Sequence, residues 1–246
     1  MNQRLMPATL VVAAVVGIGA TLIGQQPPPQ AASGAPDAVA ALKTTVQQGL
    51  ALARKYEWVE TTAISLKGEE KARTQKRCYY GADGKVQKIS LDQPAAAAPP
   101  QQGGRRGGKL KGKIVENKKD DMKEYMEKAA ALIHQYVPPN PKQIDAAKAA
   151  GRVAAKPQAD GSVQIAITQY LLAGDTLTVG FNPKTSRLLG LNVNTYLDKP
   201  EDTVTLAVQM ATLADGALYA GQVTLEAKAK NIKVVIQNTG HRPVQQ

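Results

Sequence analysis

Catalysis needs titratable groups at the right spacing, and this chain offers few. Its 246 residues contain two histidines and one cysteine. His134 falls on the polar side of an amphipathic stretch, in line with Glu127 and Ala130, where a solvated role explains it. His241 falls in "NTGHRPVQQ", where a flexible tail over 241–246 is expected. Cys78 stands in a strand pattern two residues from Tyr80, and plain packing accounts for it. Acid–base chemistry without histidine would fall to Glu69-Glu70, Asp120-Asp121 or Glu201-Asp202. These pairs fall in a turn, in the first turn of a helix and in a strand connection, positions that suit acids without any catalytic role. No zinc-binding H-E-x-x-H, nucleophile-bearing G-x-S-x-G or phosphate-cradling G-x-x-x-x-G-K-S/T occurs. A single cysteine also rules out an internal disulfide or a thiolate metal set. The residues point away from an enzyme, and to no metal and no cofactor.

The elements that would position any site follow from periodicity. Asp37 can cap a helix on which Val39, Leu42, Val46, Leu50 and Ala53 recur at helical spacing. Next, "YEWVETTAISLKG" alternates, with Trp58, Thr62, Ile64 and Leu66 on one face. "KARTQKRCYYGADGKVQKISL" predicts a hairpin turning at residues 81–84. "KKDDMKEYMEKAAALIHQYVPP" gives the clearest helix. Met122, Tyr125, Met126, Ala129, Leu132, Ile133 and Tyr136 form its apolar stripe, and Pro138-Pro139 stop it. A short helix follows, capped by Asn140 and ended at Gly151. From Gly161 onward about six strands are expected, joined by turns short enough to force antiparallel neighbours. The fold class is therefore α+β: a large curved antiparallel sheet with helices on its concave side.

Charge and hydropathy divide the chain. The net charge is +11, and residues 103–119 hold seven basic residues against Glu116 alone. Residues 1–35 begin with Arg4, continue as an uncharged apolar run and end in proline-rich sequence, the pattern of an export signal, cleaved or kept as an anchor. Residues 37–240 make one α+β domain, interrupted at 94–113 by a basic loop rich in Ala, Pro, Gln and Gly. With no apolar anchor to hold it on a surface, the loop is expected first to be a disordered linker; alternatively, Arg105, Arg106, Lys109, Lys111 and Lys113 in it suit an anionic membrane surface. The loop has no aromatic residue on which a base could stack, so nucleic acid is disfavoured.

Three stretches carry a resemblance. "YYGADGKVQKISL", "FNPKTSRLLGLNV" and "DTVTLAVQMATLADGALYAGQVTLEAKAKNIKVVIQN" are paired strands around tight turns, ending in a long meander. In order and pattern the chain resembles the periplasmic lipoprotein-carrier (lipoprotein-sorting) family. The resemblance implies an incomplete barrel plugged by helices, with an apolar cavity between for a lipid or acyl chain. Trp58, Ile64, Leu66, Met122, Met126, Leu132 and Ile133 are the candidate lining residues. The chain departs from such carriers in having one Phe and one Trp, and in its insert at 95–113. The alternative reading is an envelope-associated structural or interaction protein whose small side chains fill the core. The sequence names no protein partner.

Overall fold

The computed structural model describes residues 46–91 and 108–244. A helix over residues 46–53 (α1) leads into β1 (Tyr56–Leu66), β2 (Glu69–Tyr80) and β3 (Val86–Ser90). Two helices follow, α2 (Gly108–Ile133) and α3 (Pro141–Ala149). The rest is a meander: β4 (Val153–Pro157), β5 (Val163–Thr168), β6 (Thr176–Asn182), β7 (Arg187–Tyr196), β8 (Thr203–Thr212), β9 (Leu218–Ala227) and β10 (Ile232–Pro243).

All ten strands belong to one antiparallel sheet, ordered β3-β2-β1-β10-β9-β8-β7-β6-β5-β4. Every neighbour is also a neighbour in sequence except β1 and β10, whose pairing welds the first hairpins to the last strand. The end strands β3 and β4 do not pair with each other, so the barrel is incomplete. Local chemistry sets the turns. Lys67 and Gly68 both have positive φ, 54° and 83°, which gives the two-residue turn whose twist matches a hairpin. Gly84 takes φ 71° in the β2–β3 turn, where Gly81 accepts from its amide.

Alternation along the meander buries Leu191, Val193, Val204, Leu206, Val208, Val223, Leu225, Ile232, Val234 and Ile236 on one face. The α2 stripe lies on that face: Ala129, Ile133 and Tyr136 are buried, and Met122, Tyr125, Met126 and Leu132 pack beside them. Each fully buried Val, Leu or Ile contributes about 1.5–3 kcal/mol. Asn140 caps α3 through its side-chain oxygen, which accepts from the Lys142 amide.

A buried polar node fastens α2 to the sheet. Asp175, at the end of the β5–β6 loop, accepts backbone N–H bonds from Tyr170, Leu171 and Leu172 at 2.5, 2.9 and 2.7 Å. The Tyr136 hydroxyl donates its one proton to the same carboxylate at 2.5 Å, so Thr195 Oγ1, 2.7 Å from it, must donate in turn to Tyr136. Tyr170 closes the node: its hydroxyl accepts from the Asn140 amide and its ring lies 5.5 Å from that of Tyr136.

Four expectations are corrected. β4 precedes Gly161 and makes seven strands after the helices; its "VAAKP" is too rich in small and polar residues to show strand alternation, and it needs little, being an exposed edge. The basic loop expected to run to 113 gives way at Gly108 to α2, so Lys109, Lys111 and Lys113 are helical, while residues 94–107 lie outside the described residues. Asp120-Asp121 consequently fall in the middle of α2 rather than its first turn. The tail expected from 241 is strand through Pro243, because β1 supplies partners for Arg242 and Pro243. The residues assigned to export, 1–35, and the proposed cap Asp37 lie outside the described residues.

Three substitutions test this framework. A Cβ on Gly190 would lie 2.2 Å from the Val208 carbonyl oxygen, so Gly190→Ala forces β7 from β8 and should lower stability by about 1–3 kcal/mol in urea unfolding. Asp175→Asn turns one acceptor into a donor facing donors. It should cost on the order of 2–4 kcal/mol, against about 1 kcal/mol for Thr195→Val. Equal losses for these two would mean that the carboxylate is not the centre of the node.

Candidate functional site

The two halves of the concave face are built differently. Under α2 and α3 the sheet presents aliphatic side chains in close contact. Of the seven residues expected to line a cavity, five are packed there: Ile133 is in the core, and Leu66, Met122, Met126 and Leu132 pack against it. Ile64 is 37% exposed and belongs to neither core cluster. Of the seven, Trp58 lines the cavity found among the described residues.

That cavity lies at the other end, where β1, β2 and β10 meet β8 and β9 beneath α1. Its volume is about 80 Å³. Leu50 and Ala53 of α1 form one wall. Trp58, Tyr80, Tyr219 and His241 supply rings, and Met210 and Leu218 aliphatic surface. Strand pairing explains the convergence. Trp58 stands opposite Cys78 on β2, while the β1–β10 ladder brings Asn238 and His241 alongside. The Trp58 and His241 rings stack at 5.9 Å and 12°, Trp58 and Tyr80 are 5.6 Å apart, and Tyr219 meets His241 at 3.9 Å. Trp58 Nε1 donates to Asn238 Oδ1 at 3.0 Å, and Asn238 Nδ2 donates to the Ala220 carbonyl at 2.8 Å. With its one polar atom satisfied, the indole is free to present apolar surface. Burial lowers the His241 pKa and favours the neutral ring.

α1 closes the cavity, and its described residues pack outside the main core. Val46 joins Phe181, Leu188 and Leu218 in a satellite cluster separate from the main core. Gly49 lets the helix sit low, since a Cβ there would lie 2.7 Å from Leu218 Cβ. The glycine that weakens the helix by propensity is thus what allows its backbone to approach the β8–β9 turn.

Beside the cavity Glu60 and Lys88 form a buried pair, with Nζ 2.7 Å from both carboxylate oxygens. Cys78 is fully buried nearby, and its thiol is pushed up to about 11, first by burial and then by the Glu60 charge. It is therefore a neutral packing residue at physiological pH. Three of the candidate acids have structural partners. Glu69 pairs with Lys71, Glu70 with Arg73, and Asp202 accepts from the Tyr125 hydroxyl. His134 is exposed. Among the described residues no three His, Cys, Asp or Glu side chains are placed to hold a metal, and no helix is long and apolar enough to cross a membrane. Of the basic residues assigned to an anionic surface, Arg105 and Arg106 lie outside the described residues.

Sequence reasoning missed Tyr80, Tyr219, Met210, Asn238 and His241. The available signal was compositional: in a chain only 4% aromatic, tyrosines at alternating strand positions are worth following. Nothing in the sequence says that β10 lies beside β1, and without that pairing the rings cannot be brought together.

No protein-family model matches the sequence, and no curated protein does. Among solved structures the chain is similar to a DUF1329 family protein from Desulfovibrio piger, with 12% identity, 84% of this chain and 92% of that one covered, and a TM-score of 0.41. It is also similar to a LolA superfamily protein from Nitrosomonas europaea, with 8% identity, 81% and 94% covered, and a TM-score of 0.33. At these values the likeness remains a resemblance, and function has to be read from the residues themselves.

Proposed function

We propose that this protein is an exported, non-enzymatic carrier that holds the apolar chain of a lipid or fatty acid in the cavity beneath α1. One observation carries the reading: the chain's single Trp and two of its eight Tyr converge with His241 on one partly open apolar cavity. The rings are held by one another and by Asn238, and the space between them stays partly open. A cavity of about 80 Å³ takes the end of an alkyl chain but not its whole length. A longer chain therefore requires α1 to shift, and the described residues of α1 pack through a satellite cluster separate from the main core. Export and the basic residues Arg105, Arg106, Lys109, Lys111 and Lys113 belong to the same reading, bringing the carrier to an anionic membrane surface.

A second reading has its own support. The helix–sheet interface, where a carrier of the expected kind would keep its cavity, is occupied by Met122, Met126, Leu132 and Ile133 in contact with the core. A structural or interaction protein needs no more than that.

Native mass spectrometry of protein purified gently from bacterial periplasm separates the two. The carrier reading expects adducts at fatty-acid or phospholipid mass. They should vanish in Ala220→Leu, which fills the cavity, while the melting temperature holds or rises. Bare polypeptide mass in the parent protein, with no saturable change of Trp58 emission on adding fatty acid, would favour the structural reading. The pH dependence is a separate check. Because burial lowers the His241 pKa in the folded state, the unfolded chain binds the proton first as pH falls through 6.5. Stability contributed by the neutral ring is thus present above that value and declines below it. His241→Gln should flatten this decline, seen as a smaller change in urea midpoint between about pH 7.5 and 5.5.

A further inference from the structure

One charged neighbour of the cavity, at the end of α1, makes no ion pair among the described residues. α1 ends at Ala53, a cavity-lining residue, and the next side chain is Arg54. Arg54 is exposed and makes no ion pair with any described acidic residue. It is close enough to Tyr80, another lining residue, for its charge to favour the ionised phenol, although burial raises the Tyr80 pKa on balance. Two other charges near the site are engaged. Lys88 is neutralised by Glu60 through both carboxylate oxygens. Asp215 accepts from the Tyr56 hydroxyl at 2.8 Å and from the Ala217 amide, with Lys55 as its nearby cation. The mouth therefore has a spare positive charge, while the buried pair beside the cavity has none to offer.

We propose that Arg54 selects an anionic head group, so that the ligand class is a single-chain amphiphile bearing a carboxylate or phosphate, held tail inward with its head at the α1–β1 junction. The inference rests on the cavity being the ligand site. A planar guanidinium with five donors suits either oxyanion. Its position also fits α1 as the yielding wall: a head group bound by Arg54 sits next to the helix that must shift to admit the tail. An inward head group would instead meet aliphatic and aromatic side chains, with Asn238 already bonded to Trp58 and to the Ala220 carbonyl.

The test uses the whole protein and its single tryptophan. Trp58 emission is titrated with decanoate and with decanol, equal in chain length, at about pH 8 where the acid is ionised and at low salt. Decanoate should bind some threefold to fivefold more tightly than decanol, the size of effect an exposed ion pair supplies. Added salt should shrink the difference. Arg54→Gln should bring decanoate down to the affinity of decanol and leave decanol unchanged, Arg54→Lys should restore part of the preference, and Lys55→Gln should leave it intact. Equal affinity for the two ligands, or a preference that survives Arg54→Gln, overturns the role of Arg54 while leaving the cavity as a binding site. Saturable binding of neither ligand overturns the cavity reading and this inference with it.

Discussion

The pairing of β1 with β10 is the contact on which the rest depends. Without it the chain would be two separate sheets, a three-stranded one before α2 and a seven-stranded one after it. The ladder runs the length of β1, from Tyr56 against Pro243 to Leu66 against Ile232. Closing a loop that contains almost the whole domain costs roughly 4–5 kcal/mol in chain entropy, because the cost grows only with the logarithm of length. A ladder of that extent offsets it, with each net hydrogen bond contributing about 1 kcal/mol and its side chains adding burial. The one register shift, between Glu57 and Val59, falls beside Trp58 and coincides with the wall of the cavity. Bulges re-aim side chains, and this one lies where the indole has to meet rings from β10 and β9.

The second constraint is at the opposite end. A buried carboxylate is tolerated only when its oxygens are fully occupied, and Asp175 meets that condition with three backbone amides and one phenol. The loop needs the acid to satisfy its amides, and α2 needs it to fix Tyr136 after the helix has ended. One residue thereby ties a turn, a helix terminus and, through Thr195, strand β7. With that end fixed and the aliphatic core closed beneath α2, movement on the concave face falls to α1, which has no comparable anchor among the described residues.

Much of the fold was legible because it repeats short-range rules. Alternation identified the strands from Val163 onward, the Asn-Pro start and glycine exit identified α3, and the apolar stripe identified the inner face of α2. The failures have physical causes. β4 is an edge strand of alanines and needs no apolar face. Gly108 and the lysines after it read as loop because glycine and uniform charge obscure helical period. His241 read as tail because its order comes from β1, a partner remote in sequence. The site was harder still. Alternation puts Trp58 on one face with Ile64 and Leu66, yet grouping it with Met122 and Met126 joins it to α2 side chains that pack on the main core, away from the cavity Trp58 lines. Alternation gives the face on which a residue lies, but not its position across ten strands.

The scarcity of aromatic residues looked like an argument against a ligand cavity, and their distribution changes its meaning. An interior of Val, Leu, Ile and Ala packs without voids because its units are small and can interdigitate. That is the make-up of the core cluster beneath α2. A few large rings set at one end cannot interdigitate in the same way. Trp58 is held by Asn238, His241 is wedged between Trp58 and Tyr219, and Tyr80 tilts against the indole, so each ring is fixed by a neighbour before the gap between them closes. The space that remains is bounded on its other side by α1, whose described residues pack outside the main core. Economy of aromatics is therefore what separates the two tasks: the aliphatic half supplies stability, and the aromatic half keeps an opening that the fold does not need.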